Sequence, residues 1–414
     1  MANYLSNKIK VIGWTLMALS IGVVGLSMLL HYIIPERTPI PGRWNDARAS
    51  DSGAVGERLR NLGYMEGYQE AGNRYGVTIH SNESGVLLYT SGHGPHAFLM
   101  DMNGTVIHNW SVDFYDAFPN GQAKNLFPNE HKQFIRRAVM LDDMSLLAVF
   151  DYYGLVKIDK DSNIVWSKQF GFHHDVEVAD NGDIYAIVHT YSPVEGFGGP
   201  VVEDWVMRLD QNGEELMSLS IIQAFENTEY KRFLLKAVKA LAEVELPDPF
   251  HTNTIRVVHT PYANGSLLVS MRNIDTIAII NETTGKVVWA RDGMEGERRW
   301  NKQHEPILLD DDTMLIFDNG VDKKQTSVIE YNFVTDSIEW NYTDSDFYSE
   351  TIGTAQRLSN GNTMIAESDN GRAFEVTREG EKVWEWVSPY RAGRHDELVA
   401  TLFFMERVED GTGY

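Results

Sequence analysis

The sequence predicts an all-β, six-bladed β-propeller preceded by an N-terminal transmembrane helix and interrupted by a helical insertion near 222–246. Two observations predict the propeller. Six stretches each run turn, apolar strand, second strand, turn and closing strand: 84–110, 143–166, 181–217, 264–289, 311–340 and 360–384. Five of them close on tryptophan, at Trp110, Trp166, Trp289, Trp340 and Trp384, and the third ends on Met217. Self-similarity at 40 to 60 residues, cut by Asn-Gly and Asp-Gly turns, is the signature of four-stranded blades around a channel. The tryptophans are expected to pack between neighbouring blades, because a large ring with one polar edge suits a seam of that kind.

Taken in order, residues 1–35 form a cytoplasmic stub and an anchor. Residues 11–35, VIGWTLMALSIGVVGLSMLLHYIIP, carry no charged side chain. At ~1.5 Å per residue that is long enough to cross a bilayer core, and too long for a cleavable signal, whose apolar region spans roughly 7 to 15 residues. Lys8 and Lys10 precede it with no acidic residue before them, which places the N-terminus in the cytoplasm and the rest outside, a single-pass arrangement in the inner membrane. Residues 36–74 read as a linker, rich in Pro, Gly and charge, with a short helix from about Ala54 to Glu70. Residues 75–414 are the propeller. Within 222–246, Phe225, Phe233, Leu234, Val238 and Leu241 recur at helical spacing and predict a helical cap over one face. The run from Glu397 to Glu409 predicts a last strand that pairs with the first blade and closes the ring.

Charge and composition exclude some functions. A formal net charge of −23 repels phosphate backbones, so nucleic acid is not an expected partner. Cysteine is absent, which removes disulfides, thiolate metal sites and cysteine nucleophiles.

The repeat also places the histidines. If each innermost strand turns at its far end and the second strand returns, first-strand starts and second-strand ends share one mouth of the channel. First-strand starts carry His131, His173 and His174, His251 with Asn253, and His304; second-strand ends carry His93 and His96, His189, Arg272, and Asp318 with Asn319. Two chemistries fit such a ring: a metal held by imidazoles, or an anion held by Arg272, Asn253 and imidazole donors with one histidine as nucleophile. Arg272 repels a metal cation and suits an anionic oxygen through its planar fork, which favours the anion and no resident metal or cofactor.

The ordered set H-H-D (173–175), H-x-N (251–253), S-x-R (270–272), Q-H (303–304) and F-D-N-G (317–320) resembles the arylsulfotransferase family over nearly the whole chain after the anchor. The resemblance implies transfer of a sulfuryl group from a phenolic sulfate ester to a second phenol, independent of 3′-phosphoadenylyl sulfate, and no P-loop is found in the sequence. Carried over, His304 is the nucleophile that becomes transiently sulfated. His174, His251, Asn253 and Arg272 line the sulfuryl site, with His251 or His174 protonating the leaving oxygen and Thr351 or Thr354 adding a hydroxyl. Asp318 and Asn319 complete the substrate-binding set. The sequence departs from the secreted, disulfide-bearing members in its anchor and its lack of cysteine. That departure keeps an alternative open: a non-catalytic, membrane-anchored propeller serving as a subunit of a membrane complex.

Overall fold

The computed structural model describes residues 64–66, 75–81, 83–119, 134–241, 247–260, 263–392 and 398–408. The anchor expected at 11–35 and His131 lie outside the described residues, and among those described no helix is long and apolar enough to cross a membrane.

Six antiparallel blades are present. Blade 1 takes its inner strand, Leu402–Val408, from the C-terminal end of the chain and continues outward through Val86–Ser91, His96–Asp101 and Val106–Ser111. Blade 2 runs through Ile135–Met140, Leu146–Phe150, Gly154–Ile158 and Ile164–Gln169, and blade 3 through Phe172–Val178, Ile184–Pro193, Pro200–Leu209 and Glu215–Ser220. Blade 4 runs through Thr252–Thr260, Ala263–Met271, Thr276–Asn281 and Lys286–Asp292, and blade 5 through His304–Leu308, Thr313–Asp318, Ser327–Asn332 and Ser337–Tyr342. Blade 6 runs through Thr354–Arg357, Thr363–Glu367, Arg372–Val376 and Lys382–Val387, with Gly76–Ile79 added outside as a fifth strand. The ring is therefore closed twice, by the C-terminal strand inside blade 1 and by an N-terminal strand outside blade 6. Both pairings hide edges that would otherwise template association.

The tryptophans sit where the repeat predicts. Trp110 of blade 1 donates its indole N–H to the Met144 carbonyl of blade 2, Trp166 to Gln211 of blade 3, Trp340 to Arg378 of blade 6, and Trp384 to Met102 of blade 1, at 2.8–3.1 Å. Trp289 meets Phe333 of blade 5 edge-on. The closing strands of blades 1, 2, 5 and 6 thus lay a ring against the next blade and fix its rotation with one hydrogen bond, and Trp289 of blade 4 does so by ring packing.

Turn chemistry recurs as well. Between the third and fourth strands of blades 1, 2 and 3, Asp101, Asp159 and Asp210 each accept the amides two and four residues on, which replaces the missing ladder bonds of the turn.

The insertion forms two short helices, Ile221–Phe225 and Arg232–Ala240, joined by a 3₁₀ turn at Glu229–Lys231. Ser220 caps the first through the Gln223 amide. Phe225, Phe233 and Ala237 are buried in one cluster with Phe250, Met271 and Ile274, so the second helix braces the turn that carries Arg272. Residues 242–246 lie outside the described residues. Within the segment read as a short helix, Tyr64–Glu66 is instead a strand, because Leu398–Ala400 offers it an unpaired edge that local sequence does not reveal.

Candidate functional site

Strand register puts the predicted positions at one mouth. His304 pairs with Phe317, Thr252 with Met271 and Phe172 with Val188, so inner-strand starts and second-strand ends lie side by side. Five of the six inner strands have an irregular register at or next to this end, and blade 6 is the exception. Such bulges break the simple in-and-out alternation and re-aim side chains. Non-glycine residues with positive φ gather at the same rim: Tyr152, His174, His251, Asp275, Lys302 and Glu305, between 48° and 64°. Each costs on the order of 1 kcal/mol or more and persists because the surroundings over-determine it.

Acidic side chains hold these strained turns. Asp151 accepts the His174 amide, Asp204 the Thr252 amide, Asp275 the Lys302 amide and Asp369 the Thr351 amide, at 2.8–3.2 Å. Asp318 belongs to this series. Its carboxylate accepts the Asn301 amide at 2.7 Å and pairs with Arg298 at 2.9 Å.

His304 is buried and its Nδ1 lies 2.7 Å from Asn319 Oδ1. The orientation of that amide is set at its other end, where Asn319 Nδ2 donates to the Ser349 and Ile352 carbonyls at 2.7 and 3.2 Å. Oδ1 can only accept, so His304 carries its proton on Nδ1 and its lone pair on Nε2. Burial, with the charges of Arg272 and Arg136 nearby, holds the imidazole well below its usual value and therefore neutral.

His251 donates Nδ1–H to Asp248 at 2.7 Å, and the same carboxylate accepts the His251 amide at 2.8 Å. Burial lifts Asp248 to about 6, opposed by the hydrogen bonds it accepts and by the charge of Arg272. The His251 ring stands edge-on to His174, with centroids 4.8 Å apart. His174 Nδ1 in turn lies 2.8 Å from His173 Nδ1, and His173 Nε2 faces Asp204 at 3.5 Å. Two facing Nδ1 atoms need one donor and one acceptor. With Asp204 favouring a proton on His173 Nε2, His174 supplies the donor.

Arg272 extends from the turn after the second strand of blade 4 and donates to the Glu350 carbonyl at 3.3 Å; its charge acts on His304, Asp248 and Asp369. Asn253 is buried, donates to the Gln303 carbonyl at 2.8 Å and accepts from Thr254. Thr351 donates to Asp369 at 2.6 Å. Thr354 lies on the wall of a cavity in the other half of the channel. His93 and His96 form their own stack with Tyr390 and Phe98. Among the described residues no three His, Asp or Glu side chains converge as a metal requires.

Beyond the partner carboxylates Asp248 and Asp204, two features of the site were not read from the sequence. Arg136 is the second cation acting on His304, and beneath the histidines an ion network crosses the channel. In that network Arg137 binds Asp175 at 3.2 Å and Glu305 at 3.1 Å, while Arg256 binds Asp175 at 2.5 Å and also Glu305. The available signal was charge inside strands that should be wholly buried, as in IRRAVM (135–140).

The Arylsulfotransferase (ASST) family model matches residues 137–389, a span holding His174, His251, Arg272 and His304. No curated protein matches at a significant level. Among solved structures, a protein of unknown function from Bacteroides caccae is 11% identical, covering 79% of this chain and 100% of its own, with a TM-score of 0.50. Virginiamycin B lyase from Staphylococcus aureus is 10% identical over 79% of this chain and 88% of its own, with a TM-score of 0.41. At such identities the Bacteroides likeness speaks to the fold alone, whereas the family model covers well over half of the sequence, and on that match the chain belongs to the arylsulfotransferase family.

Proposed function

We propose that the protein transfers a sulfuryl group from an aryl sulfate ester to a phenolic acceptor, independently of 3′-phosphoadenylyl sulfate and through a sulfo-histidine on His304. The observation that carries this reading is the Asn319 amide, which fixes the proton of His304 on Nδ1 and turns Nε2 into a neutral nucleophile.

In the first half-reaction Nε2 attacks sulfur, the S–O(aryl) bond breaks, and the departing phenolate takes a proton from His251. In the second, the acceptor phenol gives its proton back to His251 as its oxygen attacks sulfur and the N–S bond breaks. The transition state is loose and spreads negative charge over the equatorial oxygens and the leaving oxygen. Arg272 supplies positive charge and N–H donors to those positions, with His174 and Asn253 lining the site. Asp248 stabilises His251 as an imidazolium, which suits it as the proton carrier. Thr351, with Asp369, holds the turn beside Arg272; Asp318 acts through the backbone it anchors.

The anchor read at 11–35 would hold the propeller on the outer side of the cytoplasmic membrane; hydropathy and the two preceding lysines support that placement. The deciding experiment incubates the full chain with 4-nitrophenyl sulfate and a phenol acceptor beside His304→Asn. Acceptor-dependent nitrophenolate release by the parent alone is expected. No release by the parent across several donors sinks the enzyme reading and leaves the non-catalytic subunit.

A further inference from the structure

Below the ion network the channel opens into a cavity of about 570 Å³ in the half away from the histidines. That volume lies within the range of roughly 300–1,000 Å³ usual for small-ligand pockets. Its walls are largely apolar and include Val139, Val178, Ile307, Leu308, Phe404 and Met405. Its charged part is unbalanced. Asp175, Glu177, Glu305 and Glu406 surround Arg137 and Arg256, four carboxylates to two guanidiniums, while Arg357 on the same wall is engaged by Glu330 at 2.7 Å.

Geometry shows where the excess lies. Both guanidiniums are engaged by Asp175 and Glu305. Glu177 keeps a hydrogen bond from the Val257 amide and a long contact of 3.4 Å to Arg256. Glu406, half-buried on the inner strand of blade 1, makes no side-chain hydrogen bond or ion pair among the described residues. A carboxylate turned into an apolar cavity without a partner is costly; it either takes up a proton or recruits a positive charge. Burial raises both Glu406 and Glu177, the latter to about 7, which marks the same shortage of positive charge.

We propose that this half of the channel binds a small organic cation, an ammonium group on an apolar body, with Glu406 as its principal counter-ion and Glu177 as the second. Each guanidinium on this wall is already paired with a carboxylate, Arg137 and Arg256 with Asp175 and Glu305, and Arg357 with the Glu330 it shares with Arg378. A metal ion finds no three convergent His, Asp or Glu donors among the described residues, and the uncharged polar groups on the wall are Thr354, Gln356 and Ser359. An ammonium satisfies Glu406 with charge-assisted hydrogen bonds while its hydrocarbon part covers the leucine, isoleucine and phenylalanine surface. The site lies across the Arg137–Asp175–Arg256–Glu305 barrier from His304 and is distinct from the sulfuryl site.

The test is calorimetric titration of the full chain at pH 7.5 with three isosteric probes: 2-phenylethylammonium, 2-phenylethanol and 3-phenylpropionate. Saturable binding of the ammonium is expected, at least tenfold tighter than either other probe. Glu406→Gln should weaken it tenfold or more and Glu177→Gln by several-fold, while saturating 4-nitrophenyl sulfate leaves it unchanged. Equal affinity for the alcohol, preference for the carboxylate, or competition by the aryl sulfate overturns the proposal. So does unchanged affinity in a folded Glu406→Gln protein. Should that variant fail to fold, unchanged affinity in Glu177→Gln has the same force.

Discussion

His304 Nδ1 and Asn319 Oδ1 lie 2.7 Å apart, and Asn319 cannot turn its amide over because two carbonyls accept from its other end. A tautomer is thereby built into blade 5. Asn319→Leu removes the acceptor and lets the proton move to Nε2, so kcat with 4-nitrophenyl sulfate should fall by roughly 10²- to 10⁴-fold, with a much smaller change in KM, as when other catalytic histidines lose their orienting partner. Asn319→Asp keeps an acceptor and should retain far more activity, with its acid limb moved to higher pH by the added negative charge. Equal kcat in the two variants would remove the tautomer from the mechanism.

Asp248→Asn tests His251 as the proton carrier. The amide no longer stabilises an imidazolium, so the loss should depend on how badly the leaving oxygen needs a proton. A few-fold decrease is expected for 4-nitrophenyl sulfate, whose phenolate is stable, and roughly 10²- to 10³-fold for unsubstituted phenyl sulfate. Rates across a series of substituted phenyl sulfates supply the measurement. A uniform loss across the series would assign Asp248 a purely structural role.

Arg272 bears on both of these groups. Its charge lowers His304 and Asp248, so replacing it with glutamine makes each easier to protonate. Removal of the positive charge raises both pKa values, and the acid limb of kcat/KM, expected near Asp248's value of about 6 in the parent, should move to higher pH. Loss of the clamp on the sulfuryl oxygens should also cost roughly 10²- to 10³-fold in kcat at the new optimum. A pH-rate profile of Arg272→Gln separates the two effects, because lost oxygen contacts alone leave the limb in place.

What the sequence made legible was the repeat. The closing tryptophans, the turn glycines and the C-terminal closing strand are local or periodic signals, and Trp110, Trp166 and Trp384 bond to the next blade as that periodicity requires. Strand direction alone brought His174, His251, Arg272 and His304 to one mouth. Partnership within the rim was not legible. Asp248, Asn319, Asp204 and Arg136 find their histidines through bulges and left-handed turns that interrupt the strand period, and a period-2 reading cannot say which way a residue next to a bulge points. Thr354 illustrates the result: three residues past Thr351 at the rim, it already lines the opposite cavity.

Arg256 sits between Asp175 and Glu305, and Glu305 directly follows the nucleophile. Arg256→Met leaves two buried carboxylates sharing Arg137 alone. Breaking a buried network from one side typically costs about 3–5 kcal/mol, which should lower the urea midpoint at neutral pH. Because the Glu305 backbone has positive φ and carries His304 with it, kcat should fall more than KM rises. A variant with parental stability would show that the network does not hold the inner strands together.

His189 offers a stability prediction whose sign can be worked out. Burial, with His173 nearby, lowers it to about 3, against about 6.5 in the unfolded chain. A depressed folded value means that the contribution is complete above pH 6.5 and is lost as pH falls toward 3, because the unfolded chain takes up the proton first. Glu177 and Asp248, both raised by burial, act in the opposite direction over neighbouring windows, so the parent's own pH profile mixes the two signs. The difference between the parent and His189→Gln isolates the histidine. Urea midpoints measured from pH 7 down to 4.5 should show the parent losing on the order of 2 kcal/mol relative to the variant, since each pH unit between the two pKa values is worth about 1.4 kcal/mol. Parallel profiles would mean that His189 takes up its proton in the folded state at an ordinary pH, and that its pocket admits solvent.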